Sequence, residues 1–170
     1  VQTSAYGEPL NRVYGTMRLP GNMVWSAGLK EQRSEETSGG GKGSSQKVTT
    51  VSYRYNVSFA VALSSREISD IGRIWADGKL LRDASGRLAV GGEFRIYKGS
   101  AFQKPDPMIE ALEGQDNVNG FRDLSYVVFE DLELAEYANR IPNLTFEVIA
   151  DQGGQITLSD VISDICERVK

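Results

Sequence analysis

A chain of 170 residues with a net charge of -4, 25% charged and 40% hydrophobic, is long enough for one domain with a real core and too short for two plus a linker. It has no His and a single cysteine, Cys166, which removes the commonest general base and metal ligand and excludes an internal disulfide. No basic cluster offers a nucleic-acid backbone a grip, and no apolar run approaches the ~20 residues of a membrane helix, so no membrane insertion is expected. With no Met at position 1, the chain reads as a piece of something longer.

Leu10 to Leu19 carries β-formers and stops at Pro20-Gly21-Asn22, after which Met23-Val24-Trp25 resumes extended character, so a hairpin is expected there. From Glu31 to Lys47 the composition turns to Glu, Ser, Thr, Lys and Gly, too polar to order itself by burial, and a mobile loop is expected over 31–47. Its centre, Ser38, Gly39, Gly40, Gly41, Lys42, Gly43 and Ser44, is the candidate interface loop. The Gly-Lys pair does not make a phosphate loop, because Glu36 stands where the first glycine belongs and Gly43 where a hydroxyl would meet magnesium. Val51, Tyr53, Tyr55, Val57, Phe59, Val61 and Leu63 then alternate with small or polar residues, the period of a strand with one buried face. At ~3.3 Å per residue such a strand spans roughly 40 Å, which predicts either a hairpin projecting from the body or a strand bent by a bulge.

Asp77 and Gly78, between the apolar arms Ile74-Trp75-Ala76 and Lys79-Leu80-Leu81, are the candidate hairpin turn. A second turn is expected at Asp83 to Gly86 and a strand over Glu93 to Tyr97. Asp106 is placed to cap a short helix opening at Pro107 and stopping at Gly114. Tyr126 to Val148 reads as strand, polar connection, strand. Beyond the Asp151-Gln152-Gly153-Gly154 linker, Leu158, Val161, Ile162, Ile165 and Val169 lie at helical spacing behind the candidate cap Thr157, with Cys166 read as a small buried hydrophobe. The organisation expected is one domain over 1–150, then a linker and amphipathic helix over 151–170 that can open a following domain.

Glu130, Asp131, Glu133 and Glu136 form an acidic cluster that a solvated strand edge explains; no catalytic, cofactor or metal site is expected, and no enzyme. Trp25 and Trp75 with Tyr53 and Tyr55 would make a sugar-stacking platform only as a solvent-facing row.

Several blocks in order resemble the large baseplate hub or tail-tip proteins of long-tailed phages and gene transfer agents. They are Val13-Tyr14-Gly15-Thr16-Met17-Arg18, Gly21-Asn22-Met23-Val24-Trp25, Ser58-Phe59-Ala60-Val61-Ala62-Leu63, Ile71 to Leu81, Asp106-Pro107-Met108-Ile109 and the block from Tyr126 to Val148, with Tyr126-Val127-Val128-Phe129-Glu130-Asp131-Leu132 at its start and Asn139-Arg140-Ile141-Pro142-Asn143-Leu144-Thr145-Phe146-Glu147-Val148 at its end. Gly120-Phe121-Arg122-Asp123-Leu124 departs from the small or apolar residues typical there. The fold expected is mainly β, a barrel or strongly curled antiparallel sheet of about six to eight strands with one short helix and a C-terminal helix. The resemblance implies a structural part in a virion tail that joins tail tube to tip and lines or surrounds the DNA channel. It implies other tail proteins and copies of itself as partners, in a ring expected to be a trimer, with DNA only passing through. It also implies a prophage or gene-transfer-agent source and synthesis in the bacterial cytoplasm. The alternative is a module binding a receptor or cell-wall carbohydrate.

Overall fold

The computed structural model describes residues 9–38, 48–151 and 156–168. Eight strands and two α-helices are arranged as β1 (Thr16–Pro20), β2 (Asn22–Ser38), β3 (Val48–Ser64), β4 (Asp70–Ala76), β5 (Lys79–Arg82), β6 (Glu93–Tyr97), α1 (Pro107–Glu113), β7 (Ser125–Glu133), β8 (Leu144–Ile149) and α2 (Leu158–Arg168). The strands form two antiparallel four-stranded sheets, ordered β1-β8-β4-β5 and β2-β3-β7-β6. The mainly β expectation holds, with two sheets packed on one another.

Alternation along the strands builds the core. Val57, Phe59, Val61 and Leu63 of β3 and Val127 and Phe129 of β7 face Ile71, Ile74, Leu144, Phe146 and Val148 of the other sheet in one buried cluster. Phe59 and Phe129 stack there with ring centroids 4.9 Å apart. The intervening residues Ala60, Tyr126 and Val128 form a second cluster with Ile109 of α1, so the helix covers the far face of the β2-β3-β7-β6 sheet. Burying the Ile109 side chain contributes about 1.5–3 kcal/mol. Asp106 caps α1, accepting from the backbone N–H of Met108 and Ile109, with Pro107 in the first turn and Gly114 at the stop.

The hairpin expected around Pro20-Gly21-Asn22 is corrected: β1 pairs with β8 and β2 with β3, so the chain steps from one sheet to the other at Gly21. A side chain at Gly21 would meet the Val61 side chain and lie 2.8 Å from the Ala62 carbonyl, so only glycine passes this corner without displacing β3. The loop expected over 31–47 is also corrected at its start. Glu31 to Ser38 belong to β2 and pair in register with β3, from Glu31 opposite Tyr55 to Ser38 opposite Val48. The remainder, residues 39–47, lies outside the described residues. Among the described helices none is long and apolar enough to cross a membrane.

Candidate functional site

The most distinctive surface is the ribbon of β2 and β3. β7 pairs with β3 only from Asn56 opposite Glu133 to Ser64 opposite Ser125, so beyond Asn56 the two strands run on with no third strand. Burial changes at the same place: Val57 to Ser64 are buried on both faces, whereas Thr49 to Arg54 and Lys30 to Glu35 are exposed on both. From Glu31 to Ser38 the ribbon is eight residues long, or ~26 Å at ~3.3 Å per residue. Its base is fixed by a ladder of polar contacts. The Lys30 ammonium donates to Asp131 at 2.7 Å, the Tyr55 hydroxyl donates to Glu31 at 2.9 Å, and Arg33 pairs with Glu35. The Glu31 carboxylate pushes the Tyr55 phenol upward.

Of the candidate interface loop, Ser38 closes β2 opposite Val48. Gly39, Gly40, Gly41, Lys42, Gly43 and Ser44 lie outside the described residues. Asp77 and Gly78 join β4 to β5 with φ of 48° and 83° and with Ala76 paired to Lys79. The Asp77 carboxylate also accepts from the Asn143 backbone N–H at 3.0 Å and from Arg140 at 2.9 Å, tying the turn to the segment that enters β8. Those bonds, the Asn143 one first, hold its pKa below the usual carboxylate range.

Three of the four clustered acids are each matched to a separate cation. Glu130 meets Arg95 at 2.6 Å, Asp131 meets Lys30 at 2.7 Å, and Glu133 lies 4.0 Å from Arg54, while Glu136 is exposed. Among the described residues no three His, Cys, Asp or Glu side chains are grouped to hold a metal. The aromatic candidates do not form a row. Tyr53 is exposed on the ribbon and Tyr55 is half-buried, whereas Trp75 lies on the other sheet with the Arg18 guanidinium 3.8 Å from its ring centroid. Trp25 packs on the α1 cluster and donates to Glu113 at 2.9 Å.

One charged network escaped the sequence reading. The fully buried Asp106 accepts from Arg95 Nε at 2.7 Å and from the Tyr97 hydroxyl at 2.7 Å while capping α1. Burial alone would raise its pKa; Arg95, Tyr97 and the Ile109 N–H hold it below the usual range. Arg95 and Tyr97 alternate with Phe94 and Ile96 in Glu93–Tyr97, and that polar face was the available signal. It locks α1 to the sheet that carries the ribbon.

Helix α2 is joined to the body by polar contacts. The Asp164 carboxylate accepts from Arg12 Nε at 2.7 Å and from the Tyr14 hydroxyl, and Arg168 reaches the Ser65 carbonyl at 3.5 Å. No described residue of α2 is buried. Cys166 is therefore exposed, a correction to its reading as a core hydrophobe, because its helix face does not meet the core. Beside α1, an open groove of about 810 Å³ runs along the 102–124 segment, floored by Val118, Phe121 and Leu124 and edged by Phe102, Lys104 and Arg122.

No family model matches the chain, and no curated protein matches it. Among solved structures it is similar to a chain of the virion of a native gene transfer agent particle, with 33% identity and a TM-score of 0.65. The match covers 95% of this chain and 32% of that one, so the chain spans about a third of the length of the virion chain it resembles. The likeness lies in sequence as well as in fold.

Proposed function

We propose that this chain is a structural component of a phage or gene-transfer-agent tail, part of the baseplate hub or tail tip, which connects the tail tube to the tip and lines or surrounds the DNA channel. The likeness to a virion chain carries the reading. The architecture fits it. The sheet order leaves β2 and β6 as edges, and β2 is a 17-residue edge strand that ends in a ribbon exposed on both faces. A long uncovered edge invites pairing with another chain, and an isolated two-stranded ribbon is marginal in water. A ring of copies, or a neighbouring tail protein, would cover both. The edges differ in sequence and length, so a copy-to-copy contact through them is heterologous, the kind that forms a ring where its rotation closes; a trimer is the ring we propose. A net charge of -4 suits a channel that DNA traverses without sticking. On this reading the domain acts without catalysis, in a virion tail assembled in the bacterial cytoplasm.

The test is genetic. Deleting Ser38 to Ser45 from the encoding gene should leave the purified domain folded while particles from the source bacterium lose tails or fail to assemble. Normal numbers of tailed, DNA-filled particles carrying the shortened chain would contradict the role of the ribbon. Absence of the chain from purified particles would contradict the reading as a whole.

A further inference from the structure

The ribbon has a second open edge, on β3. Strand β7 ends where Glu133 pairs with Asn56, and the Leu134 N–H then donates to the Tyr55 carbonyl at 2.9 Å. Alternate residues of a strand turn their N–H and C=O groups to opposite sides. Tyr53, Val51 and Thr49 therefore aim theirs the same way as Tyr55, into the place a longer β7 would fill, while Arg54, Ser52 and Thr50 aim theirs at β2. Among the described residues no strand pairs with β3 there. Thr49 to Arg54 are exposed on both faces, Val51 by 38% and Tyr53 by 51%. This edge is built of β-branched and aromatic residues with Arg54 as its one charge, and so lacks the charged side chains that blunt strand addition. The β2 edge differs: Lys30, Glu31, Arg33 and Glu35 line it, and their charges select a partner of matching pattern.

We propose that the β3 edge of one copy pairs with the β3 edge of a second copy, antiparallel, about a two-fold axis at Val51. Leu134 fills the place opposite Tyr55, so the edge open to a partner runs from Val48 to Arg54, and full overlap of two such edges sets Val51 opposite Val51. Residues that face each other in this way exchange both N–H···O bonds. Thr49 then lies opposite Tyr53, a β-branched residue beside an aromatic on one face, and the two Arg54 side chains stand at opposite ends of the pairing. A shift inward drives the partner strand into Leu134, and a shift outward shortens the overlap. The joined ribbons form one sheet ordered β2-β3-β3-β2, where a two-stranded ribbon alone is marginal in water. The contact is isologous and closes at two copies. So short a strand pair buries far less than the roughly 1,600 Å² of a standard interface, so association is weak and grows with concentration. It uses neither the β2 nor the β6 edge and does not rest on the particle role.

The test is sedimentation and light scattering of the 170-residue protein over a concentration series, with Val51→Lys and Val51→Glu. Wild type should rise toward twice the monomer mass. Each variant alone sets like charges face to face at the axis and should remain a monomer where wild type dimerises, and an equal mixture of the two should dimerise again. Wild type that stays monomeric at the highest concentration held in solution overturns the proposal. So does a variant that associates like wild type, or a mixture that forms no dimer. Circular dichroism checks folding. Should a charged variant unfold, cysteine cross-linking replaces it, in a Cys166→Ser background under a mild oxidant. Val51→Cys, opposite its own copy, should form a disulfide-linked dimer, whereas Arg54→Cys, at the far end of the pairing, should not. Linkage at both positions, or at neither, overturns the proposal.

Discussion

The Tyr126 hydroxyl is buried without a hydrogen-bond partner among the described residues, while its ring stacks on Tyr97 at 4.4 Å and Phe121 edges onto it at 5.4 Å. The ring earns its place by packing; the hydroxyl costs desolvation with nothing in return. Tyr126→Phe should therefore keep or raise the melting temperature, with a gain of about 1 kcal/mol. A clear drop would mean that the hydroxyl is bonded in solution. Acid sensitivity is also decided by single residues. Arg73, through its guanidinium and its backbone N–H, holds Glu147 down to about 2. A depressed folded pKa adds stability that is present above the unfolded carboxylate value and is lost as pH falls through the folded one. Thermal melts from about pH 5 to about pH 2 should show a steep loss that Glu147→Gln flattens. Equal slopes for the two proteins would contradict the pairing. At the β4–β5 turn, replacing Asp77 and Gly78 with two valines imposes left-handed backbone on β-branched residues, at roughly 1–2 kcal/mol each, and removes the bonds to Asn143 and Arg140. The melting temperature should fall sharply, and an unchanged melt would count against the turn geometry.

The elements that were legible in the sequence are those whose signal is local. The β3 alternation, the Asp-Gly turn and the Asp106-Pro107 helix start are each written in a few adjacent residues, and each sits where those residues point. The start of β2's outer half, Glu31 to Glu35, reads as loop because a stretch exposed on both faces has no buried side, hence no apolar alternation to detect. The corner at Gly21 looks like a hairpin in sequence because the same turn residues serve both, and only the partners β8 and β3 tell them apart. The α2 stripe was legible as a helix, but its docking through one carboxylate depends on Arg12 and Tyr14, more than a hundred residues away. Since α2 buries nothing, Asp164→Ala should free it with little change in the melt, and hydrogen exchange should accelerate in α2 alone. Accelerated exchange throughout the two sheets would show that α2 supports the core.

At the scale of the molecule, a doubly covered core and an uncovered edge divide the labour. The two sheets and α1 bury Phe59, Tyr126, Phe129 and Phe146 in the body, while the ribbon beyond Asn56, α2 and the 102–124 groove remain turned outward. On the proposed reading, these outward surfaces are the ones that meet other chains. Deleting Ser38 to Ser45 from the connection between β2 and β3 separates the two roles, since loop-closure entropy changes by about 1 kcal/mol and the body is untouched. The melt should stay within a few degrees, and a large loss would place the ribbon inside the folding unit. The assembly reading itself is tested most directly by immunogold electron microscopy, with an antibody against this domain, on particles shed by the source bacterium. The account predicts gold at the tail end nearest the host; intact particles without label would contradict it.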